Sequence, residues 1–205
     1  LVSLSEQFDF TCQGKLRLQN NCRLFVSARY SGSVIDIQEN VEVDNTVIGK
    51  IAGVDFRIGK NFIQTGSASD KIFDFCNNTN VIFGKNCSHD IKMDSAVSVY
   101  WGNLDFSQSK GVHVHDCLYG KKIKGMDKSI FDNKLIISMT DLFLEQDEEI
   151  NGTLELRGGI LRNDNYKLHI KGDLLLENAY AVGIKSDAEI DGDIRGSLES
   201  RLYVE

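Results

Sequence analysis

The sequence predicts an all-β chain coiled into a parallel β-helix, and three observations predict it. Aliphatic residues recur six apart, most cleanly at Ile35, Val41 and Val47, with Gly53 next in phase and Val54 one step late. A period of six matches neither a helix face nor a simple alternating strand, and it marks a chain built from hexapeptide coils. The chain also writes one turn twice, Arg57-Ile58-Gly59-Lys60-Asn61-Phe62 and Ile82-Phe83-Gly84-Lys85-Asn86-Cys87. The two glycines stand 25 residues apart, three hexads plus a seven-residue insertion. Finally, there is no proline against 18 glycines. Corners then fall to Gly, Asn and Asp, which tolerate positive backbone φ, as at Asn20-Asn21, Gly59-Lys60-Asn61, Gly84-Lys85-Asn86 and Asp164-Asn165.

Each segment follows from these signals. Lys15-Leu16-Arg17-Leu18 and Arg23-Leu24-Phe25-Val26 alternate polar and apolar residues around Asn20-Asn21-Cys22, and read as strands joined by a turn. From Val34 to Met93 the hexad rhythm rules, broken by the small polar loop Thr65-Gly66-Ser67-Ala68-Ser69-Asp70. From Ser95 to Lys110 the rhythm lapses into a protruding loop that carries Tyr100 and Trp101, the single tryptophan. Coils resume at Val112-His113-Val114 and run through Ile123, Ile130 and Leu135-Ile136-Ile137. The run Glu145 to Glu149 reads as a solvated acidic face. Beyond it, Leu154/Leu156, Leu168/Ile170, Leu174/Leu176, Val182/Ile184, Ile190 and Ile194 read as further strands. Residues 1–144 are thus one hexapeptide-repeat domain, and 145–205 a β-rich C-terminal extension or a continuation of the helix.

Composition narrows the partners. At 205 residues and net charge −7, the chain can bury a substantial core but shows no basic stripe for nucleic acid. No apolar run is long enough to span a bilayer, and residues 1–7 lack the basic and apolar parts of a leader, so a cytoplasmic location is expected. Five cysteines without a C-x-x-C pair are neither a zinc signature nor a disulfide framework, and read as small buried thiols.

Three segments together resemble the hexapeptide-repeat acyltransferases, in particular the surface-polysaccharide O-acetyltransferases with a left-handed parallel β-helix. The first runs from Ile58-Gly59-Lys60-Asn61 to Val81-Ile82-Phe83-Gly84-Lys85-Asn86-Cys87, similar to that family's repeated corners. The second, Asp90 to Tyr100, resembles the segment that opens the family's active-site loop. The third, Lys110 to Ile123 followed by Ser129 to Ser138, resembles the later coils that bind the acyl donor. The resemblance implies a bacterial, cytoplasmic homotrimer that transfers an acetyl group from acetyl-CoA to a sugar hydroxyl of a surface polysaccharide. A histidine would take the hydroxyl proton, and the protein would steady the developing oxyanion. Carried onto this chain, Asp94 would orient the base, Tyr100, Trp101 and Asn103 would meet the sugar, and Gly120, Lys121 and Ser138 would hold the donor. The family's histidine position is occupied by Ala96, which cannot transfer a proton. Either the histidine was replaced, or the chain is a natural pseudoenzyme, or another histidine such as His89 serves.

The remaining candidates each have two readings. His89 is either that substitute base or a corner residue bonded to a backbone carbonyl. His113 and His115 share one face of a strand and could ligate a metal. No third ligand stands nearby in the sequence, so they read as an exposed outer face and no metal is assigned. His169 reads as a surface position. Tyr100 and Trp101 either offer a platform to a pyranose or anchor their own loop. Two classes of function follow: the acetyltransferase or an inactivated version of it, and a non-catalytic β-helix acting as a scaffold or glycan-binding module.

Overall fold

The structure, a computed structural model, describes residues 2–4, 7–28, 32–67, 72–84, 86–94, 99–115, 117–138, 142–144, 146–178, 181–184, 188–197, 199–200 and 202–204, with backbone alone at 2–4, 119–121, 138, 142–143, 181–184 and 203–204. Short strands alternate inward and outward side chains, and each stacks in parallel on its counterpart one coil later. The result is a β-solenoid of about seven turns. One face stacks Asp9–Cys12, Ser33–Ile37, Val54–Ile58, Asn80–Phe83 and the later parts of Val99–Asp105 and Leu118–Lys124. A second stacks Leu16–Leu18, Val41–Asp44, Phe62–Thr65, Ser88–Met93, Gly111–His115 and the start of Ser129–Ser138. A third stacks Arg23–Ala28, Ile48–Ala52, Phe73–Phe75 and the start of Val99–Asp105. Strands beyond residue 145 join the same stack, because Ser129–Ser138 pairs with Glu148–Arg157, then Leu174–Glu177 and Ile194–Gly196.

The six-residue step is one side of the coil. Ile35, Val41, Val47 and Val54 are all buried, one on each successive strand or corner. The doubled turn is one corner stacked on itself, since Ile58 pairs with Phe83 and sets Gly59 beneath Gly84. Gly59 is needed there for closeness, not for positive φ: a Cβ would lie 2.2 Å from the Gln38 carbonyl oxygen. Positive φ occurs at Asn20 (60°), Asn21 (59°), Asn86 (50°) and Asp164 (41°) instead. Rung length varies, however. Val41 pairs with Phe62, Phe62 with Ile91, Ile91 with Val114 and Val114 with Phe131, steps of 21, 29, 23 and 17 residues.

Two expectations change. The stretch expected to protrude over Ser95–Lys110 contains a strand, Val99–Asp105, which turns from one face to the next at Gly102. A Cβ at Gly102 would meet the Cys76 carbonyl at 2.3 Å, so glycine makes that corner possible. The acidic run is not all solvated either. Alternation along Glu148–Arg157 turns Glu148 inward, 6% exposed, where its carboxylate accepts the Met126 N–H at 3.0 Å. None of the five cysteines forms a disulfide, and only Cys117 is fully buried.

Aromatic rings fill the middle rungs. Trp101 stacks on Phe75 with centroids 5.1 Å apart and meets Phe62 edge-on at 4.7 Å. Phe73 lies directly over Gly49, whose missing side chain leaves the space its ring occupies.

Candidate functional site

Of the expected catalytic residues, His89 lies near the start of strand Ser88–Met93 and Asp94 directly after its end. Positions 95–98, Ala96 among them, lie outside the described residues. Asp94 is exposed, and its carboxylate accepts the Gly66 N–H at 2.6 Å while its own N–H donates to the Gln64 carbonyl. It therefore ties its corner to the Gly66 turn on the rung below. His89 is 3% exposed and packs edge-on against Phe83. Its Nδ1 lies 2.6 Å from the Lys60 carbonyl oxygen and its Nε2 2.9 Å from that of Gly84. The ring thus staples the two copies of the repeated turn. Both nitrogens face protein groups, Nε2 also standing 3.5 Å from Cys87 Sγ, and the buried ring is not placed to meet a substrate hydroxyl.

The three residues expected to meet a sugar separate by strand phase. Trp101 shares the inward phase of Val99 and is fully buried, its faces covered by Phe75 and Phe62, so it presents no platform. Tyr100 points outward and donates its hydroxyl to Asn77 Oδ1 at 2.9 Å; burial and the Asp74 carboxylate beside it raise its pKa. Asn103 also points outward, and its amide donates to Asn80 Oδ1 at 3.2 Å and to the Asn77 carbonyl at 3.1 Å. Asn80 in turn donates to Asp55 Oδ1 at 2.8 Å. This ladder exists because Asp55, Asn80, Asn103 and Lys122 occupy one register position on four successive rungs. Alongside it runs an open groove of about 390 Å³, completed by Ile82, Asp105 and Lys124. Asn103 is legible as a candidate in the sequence, but its register neighbours Asn80 and Lys122 lie 23 and 19 residues away along the chain.

Gly120 pairs with Trp101 on the rung below and with Ile137 above, which brings Gly120, Lys121 and Ser138 to adjacent rungs. The side chains of Lys121 and Ser138 lie outside the described residues.

His113 and His115 point outward from strand Gly111–His115, as their alternation with Val112 and Val114 requires. The further ligands that the sequence lacked nearby come from the adjoining rungs. Asp90 sits opposite His113 on the rung below, and its Oδ1 is 3.0 Å from His115 Nε2. Asp132, on the rung above, places Oδ1 2.5 Å from His113 Nε2 and Oδ2 3.3 Å from His115 Nδ1. The hydrogen bond from His115 lowers the Asp90 pKa, and that from His113 lowers that of Asp132. Both carboxylates are therefore held ionised. A similar ladder at His169 has one imidazole, with Asp191 Oδ1 at 3.0 Å from Nε2 and Glu149 at 3.7 Å from Nδ1.

In comparisons with known protein families, curated proteins and solved structures, the chain matches none. Among the described residues, no helix is long and apolar enough to cross a membrane.

Proposed function

We propose that this protein is a non-catalytic, glycan-binding β-solenoid that holds an extended sugar chain along the outer face of Val54–Ile58, Asn80–Phe83, Val99–Asp105 and Leu118–Lys124. The observation that carries this reading is the polar groove of about 390 Å³ on that face. Its lining alternates carboxylate, amide and ammonium groups, the set that exchanges hydrogen bonds with vicinal hydroxyls, and half-buried Ile82 adds an apolar patch for a pyranose C–H face. Hydrogen bonds from Asn103 to Asn80 and from Asn80 to Asp55 fix the rotamers before any ligand arrives, which reduces the entropy lost on binding. Strand spacing of about 4.8 Å places successive polar groups at regular intervals along the solenoid axis, a pattern suited to a polymer. Calorimetric titration with soluble polysaccharides tests the idea. Asn103→Ala and Lys122→Ala should each weaken binding about tenfold, the worth of one charge-assisted or well-ordered hydrogen bond. Wild-type protein that binds no polysaccharide, or variants that bind as well as wild type, would sink it.

A second reading is an acyl-CoA-dependent O-acetyltransferase acting on a surface-polysaccharide hydroxyl, or a version of it inactivated by Ala96. What favours it is a juxtaposition: Gly120 stacks directly on Trp101, so the donor-binding residues of the resemblance sit one rung from the strand that leaves the Ala96 corner. Acetyl-CoA should then raise the melting temperature, and Ala96→His should release coenzyme A in the presence of an acceptor sugar. Neither response from either protein leaves the binding reading alone.

A further inference from the structure

We propose that Asp90, His113 and His115, with Asp132 bonded to both imidazoles as their orienting partner, form a binding site for a borderline divalent transition-metal ion such as zinc. Three rungs contribute to it. His113 and His115 stand two apart on one strand and share its outer face, so their rings lie side by side with centroids 4.0 Å apart. The rung below supplies Asp90 and the rung above supplies Asp132. Two imidazole nitrogens and two carboxylates are thereby brought together from residues that span 43 positions of sequence.

The distances suit an ion. In a tetrahedral site with bonds of about 2.0–2.1 Å, ligand atoms stand roughly 3.3 Å apart. Here the donor atoms of Asp90, His113 and His115 all fall within 4.8 Å of one another, with Asp90 Oδ1 3.0 Å from His115 Nε2; Asp132 stands 2.5 Å from His113 Nε2 and 3.3 Å from the other His115 nitrogen, Nδ1, and so orients the rings. Shifts of up to roughly 1.5 Å bring these atoms to that spacing, and the side chains are 35–48% exposed, with room to make them. The ion would replace the protons now shared between imidazole and carboxylate, and those protons leave to solvent.

Donor chemistry selects the metal class. Two imidazoles favour zinc, copper, nickel or cobalt, whereas calcium and magnesium take oxygen ligands. Lys92 pairs with the cluster from its edge, its Nζ 3.8 Å from Asp90 Oδ2, and engages the oxygen that His115 does not use. Beside the cluster a groove of about 250 Å³, lined by Asp90, His113, Lys128 and Ile130, gives an exogenous ligand or water access to the ion. The His169 ladder lacks a second imidazole, and Lys171 pairs with its Glu149 at 2.8 Å, which makes it an internal control.

The test uses the chelator-treated 205-residue chain titrated calorimetrically with zinc chloride, and with cobalt chloride followed by its visible ligand-field absorption. Zinc should bind at one equivalent, cobalt should give the spectrum of a nitrogen- and oxygen-ligated ion, and calcium should not compete. The double variant His113→Gln/His115→Gln should lose at least the roughly 100-fold in affinity that even outer-shell partners can contribute, while His169→Gln keeps wild-type binding. Both substitutions leave the inward residues Val112 and Val114 intact, so circular dichroism should be unchanged; should the double variant misfold, Asp90→Asn carries the same expectation. Wild-type affinity in the double variant or in Asp90→Asn, loss of binding in His169→Gln instead, or a cobalt spectrum dominated by thiolate ligation overturns the assignment.

Discussion

The middle rungs and the last rungs solve one packing problem in two ways. Between Val41 and Phe131 the rung length changes at every step, and the interior is filled by Phe56, Phe62, Phe73, Phe75, Phe83, Trp101 and Phe106, all fully buried. After Glu148 the steps settle at 20 residues, Ile150 to Ile170 to Ile190 and Leu154 to Leu174 to Ile194, and the interior is Leu and Ile. Equal rungs enclose equal cross-sections, so similar aliphatic side chains can stack on themselves. Unequal rungs leave unequal space, which broad rings and neighbouring glycines such as Gly49 fill. The irregular rungs are also the ones that carry the sugar-sized groove and the His–Asp cluster. The regular rungs carry the single-imidazole ladder at His169 instead.

The sharpest way to break this contrast is to empty each interior in turn. Trp101→Ala should cost about 3–5 kcal/mol and Leu174→Ala about 2–3 kcal/mol, measured by urea unfolding followed by circular dichroism. Trp101→Phe should be milder than its lost area suggests, because the Trp101 Nε1–H is buried without a partner among the described residues. A larger loss at Leu174 than at Trp101 would reverse the comparison.

Backbone closeness gives the next effect. Gly59→Ala should cost about 1–3 kcal/mol, because its Cβ would collide with the Gln38 carbonyl. Gly196→Ala, on a regular rung where the nearest atom would be 3.5 Å away, should stay within about 0.5 kcal/mol. Equal melting temperatures for the two variants would mean that the rungs are not held as tightly at the stacked turn as the distances require.

The smallest effect is a difference in pH response. Burial raises the Glu148 carboxyl above its ordinary 4.5, so its contribution to folding is full below that pH and declines as pH rises through the raised value. His115 holds Asp90 below its ordinary 3.8, so the Asp90 contribution is present above that pH and is lost as pH falls through the lowered value. Glu148→Gln should therefore gain melting temperature relative to wild type on going from about pH 4 to pH 7. The deficit of Asp90→Asn should shrink below pH 3.8. Identical pH profiles for wild type and both variants would remove these linkages.

Legibility followed the range of the signal. The coil was readable because its evidence is local: six-residue steps, alternation within each strand, and a turn copied 25 residues on. Strand phase sends Trp101 inward with Val99, and Glu148 inward with Ile150. His89 sits two residues after the second turn, which points to a corner role, yet its two carbonyl partners lie 29 and 5 residues away. Of the groove only Asn103, and of the His–Asp cluster only the pair His113 and His115, could be read, since each ladder joins residues separated by a rung whose length is itself irregular.

The sequence by itself determined that this chain coils, where its corners fall and which residues alternate inward, because those properties depend on neighbours within a few positions. Only the tertiary structure decided which outward residues stand above one another. Asp90 reaches His115 and Asn103 reaches Asn80 through the register between rungs, and that register is set by how many residues each corner adds and by how the aromatic interior takes up the difference.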